Sequence, residues 1–198
     1  MSLFIKICGI TDAVAAATCV DAGVDALGFV FSESPRRLAP DVAADLASGV
    51  PVGIARVAVF RRPSQSEVDT VLEHFPADLV QADHDTVPAP SPGIGVLPVY
   101  REDIDEIGDH RRFLYEGAHS GVGQQVDLEN AAGVARLGEM ILAGGLRPDN
   151  VAHAIYRVRP FGVDVSSGVE SAPGVKDPAL IRSFVAAVRA ADERLVSV

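Results

Sequence analysis

Cys8, Asp127 and two glycine-rich turns are the residues in this chain best suited to do chemistry. Cys8 closes a short apolar run, FIKIC over 4–8, and Gly9 follows at once. A thiol at the end of a buried strand has an unperturbed pKa near ~8.5 and serves as a general base once its thiolate is stabilised. The competing reading of an unpaired cysteine is a small buried hydrophobe, and Cys19, set among alanines, takes that reading. Asp127 stands just ahead of a helical pattern, where a carboxylate caps backbone N–H groups or acts as an acid. Gly144-Gly145 and Ser166-Ser167-Gly168 each follow a short apolar run. Bare backbone N–H groups and serine hydroxyls in such turns make a phosphate cradle, although both residue types also fill ordinary turns. Arg36 and Arg37, in SESPRRL, suit bidentate pairing with a carboxylate or else a solvated loop.

These residues need elements to hold them. Runs at 4–8, 26–31, 53–60, 78–81, 94–100, 112–115, 140–143 and 162–165 read as eight short buried strands. Helical patterns separate most of them. Thr11 is the expected N-cap of the first helix, and Gly23 its stop. Pro40 and Pro148 are expected at N1 of two others. Ser64 and Glu67 form a capping-box pattern, with Val68, Val71, Leu72 and Phe75 on one stripe. Asp177-Pro178 opens a last helix carrying Ile181, Phe184, Val185 and Val188. Residues 86–93, TVPAPSPG, hold three prolines in eight positions and exclude an ordinary helix. Residues 102–107 make at most a short helix, and 117–125 a glycine-rich loop. The pattern predicts one domain over 1–198, a compact (β/α)8 TIM barrel with a shortened or loop-replaced crossover around residues 86–93. A doubly wound open sheet competes with it, but Cys8-Gly9-Ile10-Thr11 is not the glycine fingerprint that sheet wants after its first strand. In a barrel, strand C-termini carry the chemistry, and the last two βα turns commonly hold phosphate.

Composition narrows the function. The 198 residues are 48% hydrophobic and 22% charged, as in an ordinary globular chain. With 17 basic and 27 acidic residues the net charge is −10, which argues against nucleic acid or an anionic membrane as partner. Two cysteines make no disulfide framework, and no Cys/His group has metal-site spacing. No apolar run approaches a membrane span, and the N-terminus lacks a signal-peptide pattern; a cytoplasmic location is expected. Only Lys6 and Lys176 are lysines. Lys6 shares strand parity with Cys8 and so points to the lumen, which leaves a Schiff-base phosphosugar enzyme as a competing class.

The chain resembles the phosphoribosylanthranilate isomerase family. The resemblance is carried by KICGIT at 6–11, VDALGF at 24–29, SPR at 34–36, AGGLRPDNV at 143–151, GVDVSSGVE at 162–170 and PGVKD at 173–177. It implies an Amadori rearrangement of N-(5-phosphoribosyl)anthranilate to the 1-deoxyribulose 5-phosphate in tryptophan biosynthesis, with no cofactor and no metal. It implies Cys8 as the base at ribose C2 and Asp127 as the acid at the furanose oxygen. Arg36 would hold the anthranilate carboxylate. Gly144, Gly145, Ser166, Ser167 and Gly168 would hold the phosphate, with Asp164 near the sugar. A thiolate must then coexist with a protonated carboxylic acid, the reverse of their unperturbed order. The implied partner is a phosphorylated small molecule, and the chain is expected as monomer or homodimer. The sequence departs from the family at Val122 and Leu128, which replace a threonine and a tryptophan. It departs also at Asp83-His84, where the family's histidine falls one position earlier, and at Glu116, in place of an aspartate. A divergent paralogue acting on, or merely binding, a related phosphosugar is the alternative these departures leave open.

Overall fold

The structure is a computed structural model that describes residues 2–89, 91–102, 107–108, 110–117 and 126–196. Eight parallel strands close into a barrel in chain order: β1 Phe4–Cys8, β2 Ala26–Val30, β3 Ala55–Val59, β4 Leu79–Asp83, β5 Gly95–Arg101, β6 Arg112–Glu116, β7 Glu139–Leu142 and β8 Gly162–Val165. β1 pairs with β2 on one side and β8 on the other, which closes the ring. The doubly wound alternative therefore falls.

Strand alternation sorts residues into two layers. Ile5 and Ile7 of β1 face outward into the main core, which they share with the helices. Phe4 and Cys8 face the lumen, where Cys8 packs with Ala26, Val30, Val57 and Val59. The lumen floor is aromatic, with Phe4 stacked on Phe161 at 5.9 Å between ring centroids.

The helices are α1 Ala13–Ala22, α2 Pro40–Ala47, α3 Gln65–Leu72, α4 Leu128–Val134, α5 Val151–Val158 and α6 Pro178–Val196. Gly23 stops α1 in the left-handed region at φ 76°, as its sequence predicts. The N-cap of α1 is Asp12, not Thr11: Asp12 accepts from Ala15 N, while Thr11 Oγ1 donates to Gly174 O at 2.8 Å. Thr11 is taken by a tertiary contact that local sequence does not reveal. α2 has Pro40 at its first turn, and α3 carries the complete Ser64–Glu67 capping box. Phe75 lies past the end of α3 yet is buried against Phe29 and Phe31. α5 begins at Val151, three residues beyond Pro148. The delay has a cause: Asn150 folds back, its Oδ1 accepting from Arg147 N and its Nδ2 donating to Gly145 O, so 148–150 form a turn. Asp177 caps α6 through Ala179 N and Leu180 N.

Between β4 and β5 the described residues contain no helix, and this is the loop-replaced crossover. The expectations for a short helix over 102–107 and a glycine-rich loop over 117–125 fall mostly outside the described residues. A feature the strand pattern missed is a hairpin after β8, β9 Glu170–Ala172 with β10 Val175–Lys176. Pro173-Gly174 turns it, with Gly174 at φ 82°. A Cβ on Gly174 would lie 2.7 Å from Pro35 O, so the hairpin packs directly on the loop after β2.

Candidate active site

A cavity of about 300 Å³ opens at the C-terminal end of the barrel. Its wall includes Cys8, Arg36, Gln81, Asp83, Asp164 and Ser166. A larger hollow of about 540 Å³ lies outside it between α2 and α3, against Leu38, Pro40 and Val71, and its lining does not include Cys8, Arg36, Asp127 or Asp164. The smaller cavity, which holds Cys8, Arg36, Asp164 and Ser166, is the candidate site.

Beneath Cys8 lies a buried ion pair. Lys6 follows the inward parity of β1, is fully buried, and its Nζ bonds Asp164 Oδ1 at 2.9 Å. The register of β1 against β8 sets Lys6 beside Asp164. Gly28 on β2 makes room for both inward groups. The position a Cβ would take there is 3.0 Å from Cys8 Sγ and 3.2 Å from Lys6 Nζ, which keeps the two atoms within about 6.2 Å of each other. Burial pushes the Cys8 thiol up; Lys6 opposes this, Asp164 adds to it and Lys176 opposes it, and the thiol remains above its ordinary value. Burial pulls the Lys6 ammonium down, but the charges and hydrogen bonds of Asp164 and Cys8 outweigh that and leave it raised. Lys6 is therefore a cation beside Cys8, held by Asp164. Such a lysine is not the neutral amine a Schiff base requires.

A second charged group braces the loop after β2. Arg36 makes a bidentate pair with Glu170, Nε to Oε1 at 2.7 Å and Nη2 to Oε2 at 2.8 Å. Lys176, 4% exposed, donates to Glu170 Oε1 at 2.7 Å and to Ser166 O at 3.0 Å. Burial alone pushes the Glu170 carboxyl up, yet Arg36 and Lys176 together hold it below the usual carboxylate range. The fork on one edge of the guanidinium fixes Arg36, and its remaining N–H groups can meet a ligand. Its stem lies over Gly9, where a Cβ would come within 2.4 Å of Arg36 Cδ. Sequence reasoning missed Glu170 and Lys176 as site residues. The signal available was the Pro-Gly turn, which folds the late charged residues back toward the barrel.

The turns after β7 and β8 meet each other. Gly144 and Gly145 hold φ 93° and 64°, which L side chains seldom adopt. Ser167 and Gly168 lie in a 3₁₀ turn, Ser167–Val169. A Cβ on Gly168 would lie 1.8 Å from Leu146 O, so only glycine lets the two turns close on one another.

On the opposite wall, β4 turns Gln81 and Asp83 into the cavity, while the His84 ring packs on Tyr100 at 4.7 Å. The Asp83 charge is neutralised locally, with Arg101 Nη2 2.8 Å away and Arg62 Nη1 at 3.7 Å. Arg101 Nη2 also meets Glu116 at 2.9 Å. Arg101, absent from the sequence candidates, thus ties both departures at this wall into one ion-pair group. Asp127 sits apart from this wall. It is exposed at the N-cap of α4, and its Oδ1 accepts from Glu129 N and Asn130 N. Its backbone N donates to Glu102, and Asn130 Nδ2 donates to Tyr115 OH at 3.0 Å, anchoring the helix start to β6. Val122 lies outside the described residues; Leu128 packs partly buried against the core. Among the described residues no group of three or more His, Cys, Asp and Glu is placed to hold a metal ion, and no helix is long and apolar enough to cross a membrane.

Comparison with known proteins agrees across sequence and structure. The profile of the family described as N-(5'phosphoribosyl)anthranilate (PRA) isomerase matches residues 5–91 and 94–187. The N-(5'-phosphoribosyl)anthranilate isomerase of Paracoccus denitrificans is 41% identical, over 94% of this chain and 97% of its own. A solved phosphoribosyl anthranilate isomerase in complex with reduced 1-(o-carboxyphenylamino)-1-deoxyribulose 5-phosphate superposes at a TM-score of 0.78, with 28% identity over 95% of this chain and 99% of that one. Monomers generated from the dimeric enzyme of Thermotoga maritima superpose at 0.80, with the same identity and coverage.

Proposed function

The chain belongs to the N-(5'-phosphoribosyl)anthranilate isomerase family, and from that premise we propose how its cavity performs the family's reaction. It is an isomerase of tryptophan biosynthesis, and its reaction is the Amadori rearrangement of N-(5-phosphoribosyl)anthranilate to 1-(2-carboxyphenylamino)-1-deoxyribulose 5-phosphate. In our reading the phosphate lies on the turns of Gly144-Gly145 and Ser166-Ser167-Gly168, where backbone donors bind an anion despite a net charge of −10. Arg36, fixed by Glu170, takes the anthranilate carboxylate on its remaining N–H groups.

With both ends held, the ribose spans the cavity over Cys8. Asp127 gives a proton to the furanose oxygen as the C1–O bond breaks, and the nitrogen lone pair makes C1 an iminium carbon. The Cys8 thiolate removes the proton from C2, whose electrons neutralise the iminium and leave an enolamine. Ketonisation moves the enol proton to C1, and the enzyme resets when the proton on Cys8 returns through solvent to Asp127. Lys6 is a positioning residue: its ammonium favours the thiolate over the thiol, and Asp164 holds that ammonium in place.

The observation that carries this reading is Cys8 in one cavity with Arg36 and Ser166, directly above the Lys6–Asp164 pair. We place the chain in the cytoplasm, as one barrel domain over 1–198, acting as monomer or homodimer on a phosphorylated small molecule. The test is direct. Purified protein, given N-(5-phosphoribosyl)anthranilate, is expected to quench its anthranilate fluorescence as product forms. Binding without turnover would instead support a phosphosugar-binding paralogue.

A further inference from the structure

One polar atom in the cavity has no use in the scheme above. Gln81 is 7% exposed, faces inward from the middle of β4, and its side-chain oxygen Oε1 has no hydrogen-bond partner among the described residues. The barrel gives it none. Its register neighbours are Val59 on β3 and Leu97 on β5, both apolar and both inward. Asp83 and Asp164, which share the cavity wall, are acceptors when ionised. Of the nearby cations, Lys6, below the cavity, is paired with Asp164, and Arg101, on the cavity wall, with Asp83 and Glu116. A buried amide oxygen without a donor destabilises the free protein. Leucine or methionine would fill the same space without that cost, so the group is explained by something that arrives later.

We propose that Gln81 Oε1 is a substrate-recognition acceptor, taking a hydrogen bond from an N–H or O–H on the reacting segment, between the anilino nitrogen and the C2 hydroxyl. This rests on the reading of the site given above. The two ends of the substrate are accounted for by the phosphate turns on β7 and β8 and by Arg36 after β2. β4 stands across the barrel from β8, so Gln81 faces the middle of a ligand stretched over Cys8. The segment it faces is rich in donors: one amine N–H and the sugar hydroxyls. A rigid acceptor there holds the C2–H bond toward the thiolate and rejects analogues that lack the donor, because they leave the buried oxygen unpaired. Where the donor is the amine, its bond strengthens as the nitrogen becomes cationic on ring opening, which favours the transition state over bound substrate.

The experiment compares wild type, Gln81→Leu and the unbranched Gln81→Met in three measurements. These are steady-state turnover of N-(5-phosphoribosyl)anthranilate, affinity for the reduced product 1-(o-carboxyphenylamino)-1-deoxyribulose 5-phosphate, and inhibition by inorganic phosphate. Wild-type turnover tests the family reaction by itself, so its failure is separate from failure of this proposal. The expected result is a loss of at least tenfold in kcat/KM and in affinity for the reduced product. Inhibition by phosphate stays within about twofold, because the phosphate turns lie elsewhere, and Tm is unchanged or higher. A kcat/KM within twofold of wild type in both variants overturns the proposal. So does a lowered Tm with equal losses for reduced product and phosphate, which marks Gln81 as merely structural.

Discussion

Replacing Lys6 by methionine isolates the electrostatic half of the scheme. Met is likewise unbranched, only one atom shorter, and removes the charge. In wild type the ammonium lies within about 6.2 Å of Cys8 Sγ. At an effective dielectric of about 20, that separation gives about 2.7 kcal/mol of attraction for the thiolate. Removing Lys6 also leaves Asp164 as an uncompensated neighbour that opposes the thiolate. The acid limb of the kcat/KM profile, which reports formation of the base, therefore moves to higher pH from a wild-type position already above the ordinary thiol value, so the variant is slower than wild type at every pH below that limb. Below that limb, the thiolate fraction at a given pH falls about 100-fold. The assay is the fluorescence decay of N-(5-phosphoribosyl)anthranilate from pH 5 to 10, paired with pH-dependent alkylation of Cys8. Because Lys6→Met strands a buried carboxylate, the double variant Lys6→Met/Asp164→Asn is measured beside it; it is expected to be more stable than the single variant and still shifted. An unmoved acid limb in both variants, with turnover within threefold of wild type, refutes the reasoning.

Two other perturbations test the surrounding frame. Gly168→Ala drives a methyl group to within 1.8 Å of Leu146 O, so the turns after β7 and β8 must part. The expectation is about 1–3 kcal/mol of destabilisation and at least a tenfold weaker inhibition by phosphate; unchanged phosphate inhibition contradicts the cradle. Glu170, held below the ordinary carboxylate range by Arg36 and Lys176, contributes stability that is fully present above its unfolded pKa near ~4.3 and lost as pH falls through its lower folded value. The stability gap between wild type and Glu170→Gln, from urea unfolding, is expected to close on acidification below about pH 4.3; a gap constant from pH 7 to 3 contradicts that role.

The strands and most helix ends were legible because they rest on local rules. β-branched apolar runs ending in glycine or serine marked strand ends, and Ser64 with Glu67 marked α3. The prolines at 86–93 were enough to exclude a helix there. Failures came where a distant group captured a local signal. Thr11 is a good N-cap by type but bonds Gly174, 163 residues away. Pro148 fits N1 by type, yet Asn150 turns back onto Gly145 and delays α5. At the site, parity alone sent Lys6 inward, but its partner Asp164 and its closeness to Cys8 depend on barrel closure. The Arg36–Glu170–Lys176 group spans separations of 134 and 6 residues, which no spacing rule covers. Asp83, an apparent obstacle to an anionic ligand, is neutralised by Arg101 from the next strand.

The most direct test of the account is to separate chemistry from binding in Cys8→Ser and Asp127→Asn. Each protein is mixed with N-(5-phosphoribosyl)anthranilate for single-turnover fluorescence decay, and each is titrated with the reduced product. The account predicts that each variant loses about 10²–10⁴ in kcat, the range for removing a general acid or base, while affinity for the reduced product stays within about threefold. Near-wild-type turnover in either variant contradicts the assignment of that residue.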